Sequence, residues 1–159
     1  MKAHDAERAA SAMALLAGLD GEWELANPSE EIPEGRAVFA VSSAGSVVRE
    51  IMVPGTPHEM TNLYHMDGDV VVCTHYCAAG NQPRMVATEV AELDGSPGLV
   101  FELDSVSNFL EDHSHYMGGL TLVFVSEDRI DQRWTSFDAS GETAGEMVFE
   151  MKRVRGHGG

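Results

Sequence analysis

Apolar residues recur along this chain with two different periods. From Asp5 to Leu16 they fall at Ala6, Ala9, Ala10, Met13 and Leu16 and run on to Ala17, the three-and-four spacing of an amphipathic helix. The alanine-rich composition supports that reading, and Gly18 supplies a stop. Beyond Gly18 the helical period vanishes. Short alternating runs replace it, punctuated by Gly, Pro, Asn, Asp and Ser. They predict strands over Glu22–Ala26, Arg36–Ser42, Val47–Val53, His58–Met66, Asp69–Cys77, Arg84–Leu93, Leu99–Val106, Leu120–Val125, Arg129–Phe137 and Gly145–Arg153. About ten short strands at roughly ten-residue spacing describe an antiparallel meander that closes on itself, which also removes aggregation-prone edges. The expected fold is an all-β, closed, up-and-down antiparallel barrel of about 8–10 strands with a short N-terminal helix. Residues 1–18 would be the helix, 19–155 the barrel and 156–159 a frayed tail, all in one domain.

Period-two alternation also predicts which side chains face inward. With Asp67-Gly68 as a two-residue turn, His58, Met60, Asn62 and Tyr64 share a face with Cys77, His75, Cys73 and Val71. Glu59, Thr61, Leu63 and His65 share the opposite face with Tyr76, Thr74, Val72 and Val70. The first set mixes Met, Asn, Tyr, Cys and His, as a ligand-lined interior does. On the last strand Met147, Phe149 and Met151 alternate with Val148, Glu150 and Lys152, so the methionine and phenylalanine face is expected to be buried, with Arg153 on the same side.

Charge then bounds the partners. The 26 Asp and Glu residues outnumber the 10 Lys and Arg, for a formal net charge of −16. Such a surface repels phosphate backbones and anionic lipid, so neither nucleic acid nor a membrane surface is an expected partner. A monomer or homodimer fits the self-repulsion. The N-terminal apolar stretch is interrupted by Asp5, Glu7 and Arg8, unlike a signal peptide, and a cytoplasmic location is expected. Cys73 and Cys77 then stay reduced. On one continuous strand they would lie about 13 Å apart, too far for a disulfide.

Two points of sequence carry a family resemblance. Leu19-Asp20-Gly21-Glu22-Trp23 contains the Gly-x-Trp signature that opens the first strand of lipocalins and other calycin barrels, after a short helix. Arg153, near the end of the last strand, resembles that family's partner for the tryptophan. The block from Tyr64 to Met85, including Thr74-His75-Tyr76-Cys77-Ala78-Ala79-Gly80-Asn81-Gln82-Pro83-Arg84, is similar to that of small bacterial lipocalin-like proteins. The resemblance implies a barrel with a lumenal cavity and structural roles for Gly21, Trp23 and Arg153. It extends to fatty-acid-binding-like and nitrobindin-like barrels, and names no substrate.

The candidate chemistry gathers in the lumen. The first reading is an intracellular binding protein for a small, largely apolar or amphipathic molecule. Asn62, Tyr64, His75 and Arg84 would hold a polar end, with Cys73 alongside, and Met60, Phe101, Trp134, Phe149 and Met151 would line the apolar part. The second is a lyase, isomerase or cyclase using His75 and Tyr64 as an acid–base pair. The third is a nitrobindin-like haem protein. The bland alternatives stand beside these: a hydrogen-bonded core histidine, a Met-rich core, and Arg84 paired with a nearby acid. Cys73-x-His75-x-Cys77 lacks the converging geometry of a Cys-x-x-Cys turn. A metal site would need His58 or His75 with His113 and His115, and solvated loop histidines are the simpler reading. No motif calls for a nucleotide, a nucleophilic serine or a zinc protease helix, so no cofactor is expected.

Overall fold

The structure is a computed structural model, described here over residues 3–32 and 34–155; the expected tail at 156–159 lies outside them. Helix α1 spans Ala3–Ala17. Eleven strands follow among the described residues: β1 (Gly21–Leu25), β2 (Arg36–Ser42), β3 (Val47–Met52), β4 (Met60–Asp67), β5 (Val70–Tyr76), β6 (Gln82–Ala87), β7 (Val90–Leu93), β8 (Ser96–Ser107), β9 (His115–Ser126), β10 (Arg129–Asp138) and β11 (Thr143–Arg153). Strands β1 to β6 pair in sequence order. Strand β1 also pairs with β11, β11 with β10, β10 with β9 and β9 with β8, and a β6–β8 pairing closes the ring. The result is an all-β closed antiparallel barrel of ten strands with one short N-terminal helix. Strand β7 prolongs the line of β6 along the first residues of β8.

Two expectations about this sheet need correction. The run expected as one strand over Arg84–Leu93 is interrupted at Thr88-Glu89, giving β6 and β7: the chain leaves β5 after Ala87, and β7 continues along β8 in the same direction as β6. In the β4–β5 hairpin the loop residues are Gly68 and Asp69, and Asn62 pairs with His75 and Tyr64 with Cys73. Only Gly68 takes a left-handed φ (+64°), so the type I′ geometry that would centre the turn on Asp67-Gly68 is not adopted. The pairing shifts by two residues, an even number, so each side chain keeps its expected face.

One end of the barrel is sealed. Helix α1 buries Ala12 and Leu16 against the core beside β4, β5 and β7. Fully buried Trp23 donates its indole N–H to the Leu19 carbonyl at 2.8 Å. The Arg153 guanidinium lies 4.5 Å from the Trp23 ring centroid and donates to the carbonyls of Gly18, Asp20 and Glu127. One side chain thus ties the helix exit, β1 and the β9–β10 turn together, combining cation–π attraction with a planar fork of donors.

The other end carries the loops 26–35, 53–59, 77–81 and 108–114. Here the wall is incomplete, because β1 ends at Leu25 while β11 continues outward. Met147 faces inward opposite Trp134 yet is 44% exposed. This corrects the expectation of a buried methionine face along all of β11: Phe149 and Met151 are covered, whereas Met147 lacks a neighbouring strand to cover it.

Candidate functional site

Inward alternation along β3, β4, β5 and β10 brings five polar side chains to the middle of the lumen. Glu50 sits at the centre, fully buried. Its Oε1 accepts from the Asn62 amide and the Tyr64 hydroxyl, each at 2.8 Å. Its Oε2 accepts from the Gln132 amide at 2.6 Å. The two amides are oriented by this contact, since a carboxylate accepts and does not donate. Their carbonyls therefore face away from it. Asn62 Oδ1 accepts from His75 Nδ1 at 2.6 Å, and Gln132 Oε1 accepts from the Trp134 indole at 3.2 Å. The rings of His75 and Trp134 approach to 4.9 Å, closing the circuit.

This circuit fixes the chemistry of each member. Burial pushes the Glu50 carboxyl up from its ordinary range, while the bonds from Asn62, Gln132 and Tyr64 pull it back down. Tyr64 and Cys73 are pushed well above their ordinary values, first by burial and then by the charge of Glu50. His75 is lowered to about 4 by burial. With Nδ1 donating to Asn62, neutral His75 keeps its lone pair on Nε2, and that buried atom has no partner.

A cavity of about 70 Å³ adjoins the carboxylate. Its surface is almost wholly apolar, from residues including Ala37, Met52, Met60, Phe149 and Met151, with the fully buried Glu50 and Gln132 bordering it. At its outer end it shares Gly35, Arg36 and Val53 with a surface hollow of about 240 Å³ lined also by Glu34, Pro54 and Thr56. Val53, at this junction, holds φ at +45°, a left-handed conformation that strains a β-branched residue. Together the two spaces reach the lower range of small-molecule sites, roughly 300 Å³.

The structure gathers some of the sequence-predicted residues and separates others. Asn62, Tyr64, His75 and Trp134 share the polar circuit, and Met60, Phe149 and Met151 line the cavity. Cys73 is buried opposite Tyr64, and Phe101 packs on Tyr64 with ring centroids 5.9 Å apart, away from the cavity. Arg84 is not in the lumen: it points outward and pairs with Asp104 at 2.6 Å and Asp67 at 3.2 Å. His58 is exposed on the 53–59 loop. His113 lies in the 108–114 loop and His115 opens β9, and their contacts include Asn81 and Ser114. Among the described residues no three His, Cys, Asp or Glu side chains gather as a metal site.

Glu50 and Gln132 are not among the residues that the sequence assigns to the lumen. The parity signal was available: Val48-x-Glu50-x-Met52 and Ile130-x-Gln132-x-Trp134 put both polar residues in step with apolar ones.

Fold and site together define a closed ten-stranded antiparallel barrel, compatible with a lipocalin-like fold, whose lumen is organised around one buried carboxylate. The chain matches no protein-family model and no curated protein. No helix among the described residues is long and apolar enough to cross a membrane.

Proposed function

We propose that this protein binds a small, largely apolar molecule through the surface hollow and cavity beside Glu50, as a lipocalin-like binding barrel. The observation that carries the reading is the cavity itself. It is a methionine- and phenylalanine-lined space leading from the surface to a hydrogen-bonded polar group. Methionines adapt to varied apolar shapes, and Glu50 and Gln132 would orient the polar end. The sealed end, with Arg153 over Trp23, supports the lipocalin-like relation.

The test uses 1-butanol as an apolar probe with a small polar head. In millimolar excess it is expected to shift the side-chain amide resonance of Gln132 and the methyl resonances of Met52, Met60 and Met151. The Ala37→Leu variant, whose larger side chain occupies the cavity, should show none of these shifts. A folded wild type in which these resonances stay still would refute the reading.

One observation favours a second reading, acid–base catalysis: the unpartnered Nε2 of neutral His75, held in one tautomer by Asn62 and Glu50. It requires a substrate that reaches His75, and the cavity beside Glu50 is not lined by that residue. Folded His75→Gln with undiminished turnover of any substrate found for the wild type would end it. A haem does not fit the same cavity, because about 70 Å³ is far below the several hundred Å³ such a ligand needs and His75 is packed on Trp134.

A further inference from the structure

We propose that the molecule taken up beside Glu50 carries a primary ammonium head, with Glu50 as its counter-ion; this rests on the lumenal-binding reading and narrows it to one chemical class. The first support is the frame around the carboxylate. Asn62 and Gln132 present N–H groups to Glu50 while their carbonyls are committed to His75 and Trp134. Those two partners thus offer donors and no acceptor, an arrangement suited to an anion. None of the three partners is a cation. Arg36, Arg84, Arg133, Lys152, Arg153 and Arg155 all engage other acids on the outside of the barrel.

Counting acceptor positions gives the second support. A carboxylate offers about four. Oε1 takes two donors and Oε2 one, so one acceptor position remains on Oε2 of a fully buried residue that borders the cavity. A hard metal ion would need about six oxygen ligands, and one is free. An ammonium needs far less: one charged contact, with the Phe149 ring and thioethers around its carbon chain. The cavity holds the share of liquid volume of roughly two waters, so it takes the head and the first methylene, and the remaining chain extends into the hollow.

Charge along the path agrees. Glu30, Glu31, Glu34 and Glu59 stand exposed on the two loops at the opening, and Arg36 there is paired with Glu22. With a net charge of −16, the outer field draws in cations and turns away anions.

The experiment compares n-butylammonium, 1-butanol and butyrate at matched ionic strength and near-neutral pH. It follows the side-chain amides of Asn62 and Gln132 and the carboxyl carbon of Glu50 by NMR. Butylammonium is expected to bind at least tenfold more tightly than butanol and to move the Glu50 carboxyl resonance, and butyrate should not bind. In Glu50→Gln the ammonium preference should disappear while butanol binding remains. Equal binding of butanol and butylammonium by the wild type overturns the ammonium assignment and leaves the binding reading standing. A preference that persists in folded Glu50→Gln overturns it too. If no probe moves these resonances, the binding reading fails and this inference falls with it. Should Glu50→Gln not fold, the wild-type preference and the Glu50 carboxyl shift decide the matter.

Discussion

Acidification should destabilise this barrel through His75, by an amount the structure sets. The ring is 1% exposed, makes one hydrogen bond through Nδ1 and stacks at a tilt on Trp134, so a second proton on Nε2 would find no acceptor. Burial lowers its pKa from 6.5 to about 4. Between those values the unfolded chain binds a proton that the folded chain does not, so stability falls as pH falls. The contribution is fully present above about pH 6.5 and fully lost below about pH 4. Each tenfold difference in proton affinity between the folded and unfolded chain is worth about 1.4 kcal/mol. The whole loss is then about 3 kcal/mol, of which about 2 kcal/mol falls between about pH 7 and pH 5. Urea unfolding of the wild type and of His75→Gln, whose amide can still donate to Asn62, measures the difference. Glu50 titrates in both proteins and largely drops out of it. The wild type should lose about 2 kcal/mol more than the variant over that range, or roughly 4–8 °C in Tm for a chain of this size. Parallel pH profiles would refute the reasoning, showing that His75 takes up its proton in the folded barrel as freely as in the unfolded chain.

Other consequences follow from the same geometry. Glu50 has the opposite sign: its carboxyl is raised by burial, so its contribution is present at low pH and lost as pH rises through the folded value. The stability of Glu50→Gln relative to wild type should therefore climb with pH from about 4.5 upward, and a flat difference in urea midpoints would count against a buried, titrating carboxyl. Arg153→Ala removes the donor to three carbonyls and uncovers Trp23, which should cost about 3 kcal/mol. Arg153→Lys should recover only part of this in thermal melts, since one ammonium cannot span the fork. A Cβ at Gly98 would lie 2.8 Å from the Leu122 carbonyl oxygen and would also clash with Leu93 Cδ1. Because the backbone oxygen cannot swing aside, Gly98→Ala should lower stability by about 1–3 kcal/mol, and a Tm unchanged from wild type would contradict that contact.

Much of this architecture is written in local pattern. The alternating runs and their Gly- and Asp-bearing turns specify an antiparallel meander, because each strand buries one face and a two-residue periodicity leaves few other arrangements. The three-and-four spacing of Met13, Leu16 and their neighbours specifies the helix for the same kind of reason. Inward positions on β4 and β5 were legible too, since a pairing error of two residues leaves the faces unchanged.

What the chain alone left open depends on neighbours distant in sequence. Met147 reads as buried from its own strand, yet its exposure is decided by where β1 stops, more than a hundred residues earlier. Arg84 became an outer ion-pair residue because Asp104 on the adjacent β8 and Asp67 on β4, two strands away, meet it on the outer face once the sheet forms. Glu50 shows the same point at the site. Its alternation places it inward, but a lone buried carboxylate is unfavourable; the β3–β4 hairpin supplies Asn62 and Tyr64, and only the closed barrel brings Gln132 to it. Residue periodicity therefore determined the fold and the faces of its strands. Ring closure completed the centre of the lumen, because the hydrogen bond from Gln132 on β10 to Glu50 on β3 exists only once strands far apart in sequence surround the same space.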